Sequence, residues 1–129
     1  MTHVTAAIIT NQDNDILICQ RGAGGSCEYL WEFPGGKVEP GETPEQCIVR
    51  ECQEELKIKI TVQGVYAETV HQYPEQELAF TFFKARLVSG TPHLGVHKQI
   101  KWVKPEELTN YEFCPADVEI VERLIRESN

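Results

Sequence analysis

The order of the predicted elements indicates an α/β domain in which helices cover a mixed β-sheet. Two observations lead to this fold class. Several apolar segments with the composition of strands are interrupted by one helix near the middle of the chain and followed by a second helix at its end. The chain has 129 residues, 41% of them hydrophobic, which suits one domain with a sizeable core. We therefore expect a single domain over residues 1–129.

The first elements are predicted to form a β-hairpin. Residues 3–10 are β-rich and mostly apolar, residues 11–15 have turn composition, and residues 16–20 have the composition of a second strand. The segment RGAGGSCEY at 21–29 contains three glycines and a serine and is expected to be a loop. Such a loop either closes over a substrate or simply connects two elements at the surface.

A helix is predicted to begin at Pro44. Thr43 is suited to the N-cap, proline favours the first helical position, and Gln46 completes a capping box. Before the helix, LWEF at 30–33 predicts a short strand, and the glycines at 35–36 let the backbone turn sharply with its peptide groups exposed.

The two faces of this helix differ in character. On a helical wheel with ~100° per residue, a set of apolar residues shares one arc. A set of acidic residues shares a second arc about 120° away. The apolar residues, expected to pack on the core, are Ile48, Val49, Cys52 and Leu56. The acidic residues are Glu51, Glu54 and Glu55, and carboxylates roughly 5–6 Å apart repel each other unless a cation lies among them. Mg²⁺ is a hard cation that prefers such oxygen ligands, so a metal-assisted reaction on a phosphate compound is our first hypothesis.

Beyond residue 57 the sequence predicts three strands, a loop, one helical turn and a terminal helix. In chain order these are strands 57–70 and 78–88, loop 89–98, strand 99–103, turn 104–108 and helix 115–126. Gly64 is expected to break or bulge the first strand, and the loop is a second candidate wall of a substrate pocket. The residues of the last helix available for burial are Val118, Ile120, Val121, Leu124 and Ile125.

Composition limits the partners. A net charge of −8 argues against binding a nucleic-acid polymer and against a polybasic membrane contact. An acidic protein still binds a polyphosphate where metal ions and local cations reverse the field. The five cysteines are an odd number without CxxC spacing, so we expect reduced thiols in a cytoplasmic protein. No apolar run approaches the ~20 residues of a membrane span.

From Gly36 to Ile58 the chain resembles, position for position, the box of the Nudix hydrolases. The box residues here are Gly36, Glu42, Arg50, Glu51, Glu54, Glu55 and Ile58. Cys52 stands where an aliphatic residue is usual and behaves as a small hydrophobe. Lys57 replaces a glycine just beyond the helix, where a left-handed conformation is common, so we expect a cost of about 1 kcal/mol or a different helix end.

Further likeness outside the box is to the MutT branch of that family. It is carried by residues 30–46, by Gln20-Arg21, by Trp102 and by the sequence CPAD at 114–117. The resemblance implies a Nudix α/β/α sandwich with a mixed β-sheet. It also implies hydrolysis of nucleoside triphosphates, including oxidised ones, to a nucleoside monophosphate and pyrophosphate. The PAD sequence looks more like the CTP pyrophosphohydrolase group than the 8-oxo-dGTP enzymes, and the preferred base stays open.

The resemblance also implies roles for individual residues. Mg²⁺, with Mn²⁺ as an alternative, would be held by the Gly35 carbonyl and by the three glutamates Glu51, Glu54 and Glu55. Water attacking phosphorus needs a carboxylate to accept its proton, and either Glu51 or Glu54 is that base. Arg50 is expected to pair with Glu42 and to orient the carboxylate cluster, as an arginine outside the metal shell commonly does.

Four residues are expected to bind the substrate. Arg21 and Lys37 would hold phosphate, Arg21 because its planar fork grips phosphate oxygens in pairs. Phe80 is a candidate for stacking on the base, with Tyr73 and Phe82 as further aromatic candidates. Asp117 either reads a base edge or caps the last helix.

One carboxylate of the family has no counterpart. Many relatives carry it six residues before the tryptophan of the late strand, which here is Val96. The neighbouring His97 or Lys98 is left as an untested substitute.

The expected partner is a small-molecule nucleotide, bound by a monomer or a homodimer. The physiological task, nucleotide-pool sanitation in support of DNA repair or control of pool size, stays open. Two alternatives remain. One is a Nudix hydrolase of another nucleoside diphosphate derivative, such as ADP-ribose or a dinucleotide polyphosphate. The other is a non-catalytic nucleotide sensor, although such modules usually lose the carboxylates that this box retains.

Overall fold

The computed structural model describes residues 1–128 and contains one mixed sheet between helices. The strands are β1 (Thr2–Thr10), β2 (Ile16–Gln20), β3 (Trp31–Glu32), β4 (Gly35–Lys37), β5 (Lys59–Gln72), β6 (Glu77–Ser89) and β7 (Gln99–Val103). The helices are α1 (Pro44–Glu51), continued by a π-helical segment (Cys52–Leu56), and α2 (Val118–Ser128). Short 3₁₀ turns span Pro105–Asn110 and Pro115–Asp117.

The sheet has the strand order β3-β2-β1-β6-β5, with β4 beside β1 and β7 beside β2. β1 runs parallel to β6, whereas β1 with β2 and β5 with β6 are antiparallel. The predicted mixed sheet is therefore confirmed. The register of β5 shifts between Val62 and Gly64, where a bulge was expected.

Side chains on the two faces of the sheet form two separate cores. Successive residues of a strand point to opposite faces, so Ala6 and Ile8 belong to one core and Ala7 and Ile9 to the other. The first core is completed from α2 by Ile120, Val121 and Leu124. The second is completed from α1 and the π-helical segment by Ile48, Cys52 and Leu56. This is the predicted α/β/α sandwich.

Two residues predicted to be buried are exposed. Val49 lies next to Ile48 at the edge of the apolar arc of α1, beyond the contact with the sheet, and is 41% exposed. Val118 is the first residue of α2 and is 42% exposed, because the preceding 3₁₀ turn packs inward in its place through Ala116 and Asp117. A helical wheel shows which residues share a face of the helix, but it does not show which part of that face contacts the sheet.

The central helix begins as predicted. Thr43 Oγ1 accepts a hydrogen bond from the Gln46 backbone N–H at 3.1 Å, and Gln46 Oε1 accepts one from the Thr43 N–H at 2.9 Å. At the other end Lys57 adopts the left-handed conformation, with φ 59° and ψ 37°. The lysine thus takes the conformation that glycine favours, and the helix still ends there.

The glycine turn at 35–36 is wrong as a prediction, because Gly35–Lys37 forms strand β4 beside β1. At Gly35 a Cβ atom would overlap the Thr5 carbonyl, so only glycine permits this close pairing. The five cysteines are all buried and free. Within residues 1–128, no helix has the length and apolar character needed to cross a membrane.

Candidate active site

Arg50 connects most of the acidic residues around α1. Its Nε and Nη2 atoms bind the two carboxylate oxygens of Glu42 at 2.6 and 3.0 Å. Its Nη1 atom donates to Glu51 Oε1 at 2.8 Å and to Glu54 Oε1 at 3.1 Å. The hydrogen bonds from Arg50 are the main reason that the pKa of Glu42 is lowered to about 2. The expected Arg50–Glu42 pair is therefore present, and it extends to two further glutamates.

Glu51 lies against the backbone of β4. A Cβ atom on Gly36 would come within 2.6 Å of Glu51 Oε2, so the carboxylate occupies the space that the missing side chain leaves free. Burial raises the pKa of Glu51, the hydrogen bond from Arg50 opposes this rise, and the nearby charge of Glu55 adds to it. Strand β4 and helix α1 are thus in contact at Glu51.

A cavity of about 370 Å³ opens beside β4. The predicted phosphate-binding residues Arg21 and Lys37 line it, as do Phe80 and Asp117. Gly35 and Gly36 form part of the same wall. The structure thus brings the four predicted substrate-binding residues into one cavity, although they are spread over most of the chain.

Asp117 is the most buried of these four residues, with an exposure of 5%. Burial raises the pKa of its carboxyl well above the usual range, the charge of Glu32 raises it further, and Arg21 opposes the rise. A carboxyl held in its protonated form donates a hydrogen bond as well as accepting one. Asp117 therefore offers the cavity both kinds of contact.

Phe80 lies at the side of the cavity and is half-buried. Its ring stacks on that of Phe82, with centroids 5.6 Å apart and planes 15° apart. Phe82 is fully buried in the core, which removes it from the candidates for base stacking. Tyr73 also lines the cavity and stays a candidate beside Phe80.

Comparison with known sequences supplies the family. The sequence model of the NUDIX domain matches residues 5–123. The chain belongs to the Nudix family. This Nudix protein is 38% identical to the CTP pyrophosphohydrolase of Escherichia coli over 122 residues, which cover 95% of this chain and 90% of the relative. It is 34% identical to the 8-oxo-dGTP diphosphatase of Haemophilus influenzae over 126 residues, 98% of this chain and 93% of the relative.

Solved structures agree with this assignment. The MutT protein of methicillin-resistant Staphylococcus aureus, a Nudix hydrolase, is 38% identical to this chain and superposes with a TM-score of 0.76. The match covers 98% of this chain and 96% of that protein. The chain is thus an enzyme of the Nudix class, of the MutT type.

The carboxylates of the Nudix box fit a divalent cation in their chemistry, since Mg²⁺ and related ions prefer oxygen ligands. Glu51, with Glu55 beside it, faces the backbone of β4, where the absence of a side chain on Gly36 leaves room for its carboxylate. Among residues 1–128, however, no three such side chains converge as a ready-made cage. Glu54 is bonded to Arg50 and its side chain is largely exposed. A three-glutamate metal site stays a prediction.

Sequence reasoning missed Glu32. Its Oε1 atom lies 3.2 Å from Arg21 Nη1, its Oε2 atom lies 3.4 Å from His97 Nε2, and it lines the cavity. The available signal was a single charge within the apolar strand segment LWEF, which directly follows the loop that begins with Arg21. Val96, the position at which the resemblance led us to look for a further carboxylate, is exposed, and Lys98 Nζ lies over the Tyr29 ring at 5.5 Å.

Proposed function

We propose that this Nudix enzyme is a Mg²⁺-dependent nucleoside triphosphate pyrophosphohydrolase that releases a nucleoside monophosphate and pyrophosphate. Its substrate would be an oxidised purine nucleotide of the 8-oxo-dGTP kind or a pyrimidine nucleotide of the CTP or dCTP kind. One of the two similar bacterial enzymes is a CTP pyrophosphohydrolase and the other an 8-oxo-dGTP diphosphatase, which supports both classes. Mn²⁺ would be an alternative cofactor.

The observation that carries the proposal is the continuity between the Arg50 cluster and the cavity. Gly36 contacts the Glu51 carboxylate on one side and lines the cavity on the other. Lys37 lines the same wall, and its carbonyl accepts from Arg50 Nη2 at 3.3 Å. A phosphate chain bound along β4 would therefore reach from the cavity to the acidic helix.

Each residue then has a defined task. Lys37 and Arg21 neutralise phosphate oxygens, which removes charge from the transition state of phosphoryl transfer. Arg50, fixed by Glu42, holds Glu51 and Glu54 in place, and one of these two glutamates accepts the proton of the attacking water. When bound by Gly35, Glu51, Glu54 and Glu55, the metal ion would supply charge neutralisation and a water of lowered pKa.

The far end of the cavity would bind the base. Phe80 offers the face of its ring for stacking, and Asp117 offers hydrogen bonds to a base edge. This division places the reacting phosphates at β4 and the base at the 3₁₀ turn before α2. A cavity of about 370 Å³ lies within the usual range for small-molecule sites.

The test is release of pyrophosphate by purified protein with Mg²⁺ from the common ribo- and deoxyribonucleoside triphosphates and from 8-oxo-dGTP. We expect release from at least one member of the two proposed classes, abolished by a chelator and restored by added Mg²⁺. Glu51→Gln is expected to lower kcat by about 10²- to 10⁴-fold. Glu45→Gln, in the first turn of the same helix and at an unspecified position of the Nudix box, is the matched control. No pyrophosphate from any of these nucleotides would refute the proposal.

A further inference from the structure

His97 is a buried polar residue in a loop whose neighbouring residues are exposed. Its exposure is 8%, while Val96 and Lys98 on either side face solvent. Two backbone hydrogen bonds fix its position, from the His97 N–H to the Leu94 carbonyl at 3.0 Å and from the Lys98 N–H to the Gln20 carbonyl at 2.9 Å. A ring buried this deeply normally requires a polar partner.

The partner of that ring is Glu32. His97 Nε2 lies 3.4 Å from Glu32 Oε2, and Nδ1 has no hydrogen-bond partner among residues 1–128. Among residues 1–128, the contact of Nε2 with Glu32 is the one polar contact of the ring, and Glu32 belongs to the cavity wall.

Glu32 has two contacts, one with the exposed side chain of Arg21 and one with the buried ring of His97. Arg21 contacts Oε1 at 3.2 Å, but its side chain is 46% exposed and lies in the cavity. A guanidinium binds carboxylate and phosphate oxygens in the same planar geometry, so an anionic ligand in the cavity would compete with Glu32 for Arg21. His97 is enclosed by its loop and has no such alternative. The contact between His97 and Glu32 would therefore remain when Arg21 binds substrate.

We propose that His97 is a positioning residue that keeps the Glu32 carboxylate directed into the cavity and thereby frees Arg21 to bind phosphate. The role rests on the proposed function, because it concerns the same cavity. Glu32 and Asp117 both line this cavity and are close enough for the charge of Glu32 to influence Asp117. Without His97, Arg21 is the one ion-pair partner left to Glu32 within residues 1–128, and substrate must compete for that arginine.

The test compares kcat and KM of wild type with those of His97→Leu, which removes the donor at similar volume. KM is expected to rise ~10-fold while kcat stays within ~2-fold, since a polar contact with a charged group is lost outside the reacting centre. His97→Gln keeps an N–H donor of similar reach and is expected to restore most of the affinity. His93→Leu, an exposed histidine of the same loop, is the matched control.

A double-mutant cycle shows whether His97 acts through Glu32. On a Glu32→Gln background, His97→Leu is expected to change KM by less than ~2-fold. If the two residues acted independently, the fold-changes in KM of the two single variants would multiply in the double variant. The inference would be overturned if the fold-changes in KM multiplied in the double variant. It would also be overturned if His97→Leu had the KM of wild type. If His97→Leu does not fold, His97→Asn takes its place, because its shorter amide stays polar but falls short of Glu32.

The failure of the proposed function is separable from the failure of this inference. Wild-type turnover is measured first, and a wild type without turnover counts against the proposed function alone. The same variants are then compared by the Kd of a non-hydrolysable nucleoside triphosphate. An unchanged Kd in His97→Leu overturns the role of His97, and a ~10-fold rise supports it.

Discussion

Arg50 binds both carboxylate oxygens of Glu42, at 2.6 and 3.0 Å, and thereby joins α1 to the turn that precedes it. The pairing uses Nε and Nη2, which form one edge of the planar guanidinium, while Nη1 reaches Glu51 and Glu54. A lysine at this position has a single charged centre and cannot serve both sides at once.

Arg50→Lys is therefore expected to lower kcat by about 10- to 100-fold, the usual loss when a residue that orients metal ligands is changed. Steady-state pyrophosphate release measures the effect. Arg86→Lys, on β6, provides the same chemical change outside the candidate site. A kcat close to that of wild type would show that Arg50 does not orient the glutamates.

Gly36→Ala tests the contact between β4 and the acidic helix. The added methyl group overlaps the Glu51 carboxylate, which lies at the far end of a flexible side chain and must move. A displacement of about 1 Å at a reacting group typically costs about 100-fold in rate, so activity should fall much more than stability.

The control for this change is Gly22→Ala, since a Cβ there meets no atom closer than the Val96 carbonyl oxygen at 3.9 Å. Kinetics and urea unfolding are measured for both variants. Equal activity in Gly36→Ala and Gly22→Ala would contradict the assigned place of Glu51.

Asp117→Asn is expected to stabilise the protein at neutral pH. The pKa of Asp117 in the folded state lies well above its ordinary value of 3.8, so the folded state holds the proton more tightly than the unfolded state. Stability therefore falls as pH rises from about 3.8 toward the higher folded pKa, and asparagine removes this loss.

Urea unfolding of wild type and Asp117→Asn between pH 4 and pH 7 measures this difference, with the exposed Asp13→Asn as control. The stability advantage of Asp117→Asn should grow with pH. A constant or shrinking advantage would show that Asp117 is ionised in the folded protein. The same variant should bind nucleotide less selectively, because a carboxyl on the cavity wall is lost.

Lys57→Gly should stabilise the fold. Lys57 holds a left-handed conformation, with φ 59°, that costs a residue with a side chain about 1 kcal/mol relative to glycine. Urea unfolding should show a gain of that order. Lys59→Gly, two residues later at the start of β5, should lower stability, because glycine weakens a strand. A loss of stability in Lys57→Gly would mean that other contacts of the lysine outweigh its backbone strain.

The sequence was most informative where the relevant contacts are local. The capping box at Thr43 and Gln46 depends on residues a few positions apart, and the structure has it as predicted. The Arg50–Glu42 pair also lies within one short segment. These features follow from helical geometry and from the chemistry of neighbouring residues.

Features that depend on distant segments were not predictable in this way. Strand β4 forms because β1 offers it a partner, and nothing within residues 35–37 shows that partner. Glu32 acquires its contacts from Arg21 and His97, which different loops bring to it. The exposure of Val49 likewise depends on where the sheet ends beneath α1, which periodicity does not encode.

The cavity wall is assembled from two kinds of chain segment. Gly35, Gly36 and Lys37 adjoin the acidic helix, whereas Phe80 and Asp117 come from β6 and from the turn before α2. The hydrogen bonds of Arg50 go to Glu42, Glu51, Glu54, Lys37 and Cys47 and thus to no residue of the second group. The proposed function therefore predicts that selectivity for the ligand can drift over evolutionary time while the Arg50 cluster is kept, so that one scaffold can diverge into enzymes with different preferred nucleotides.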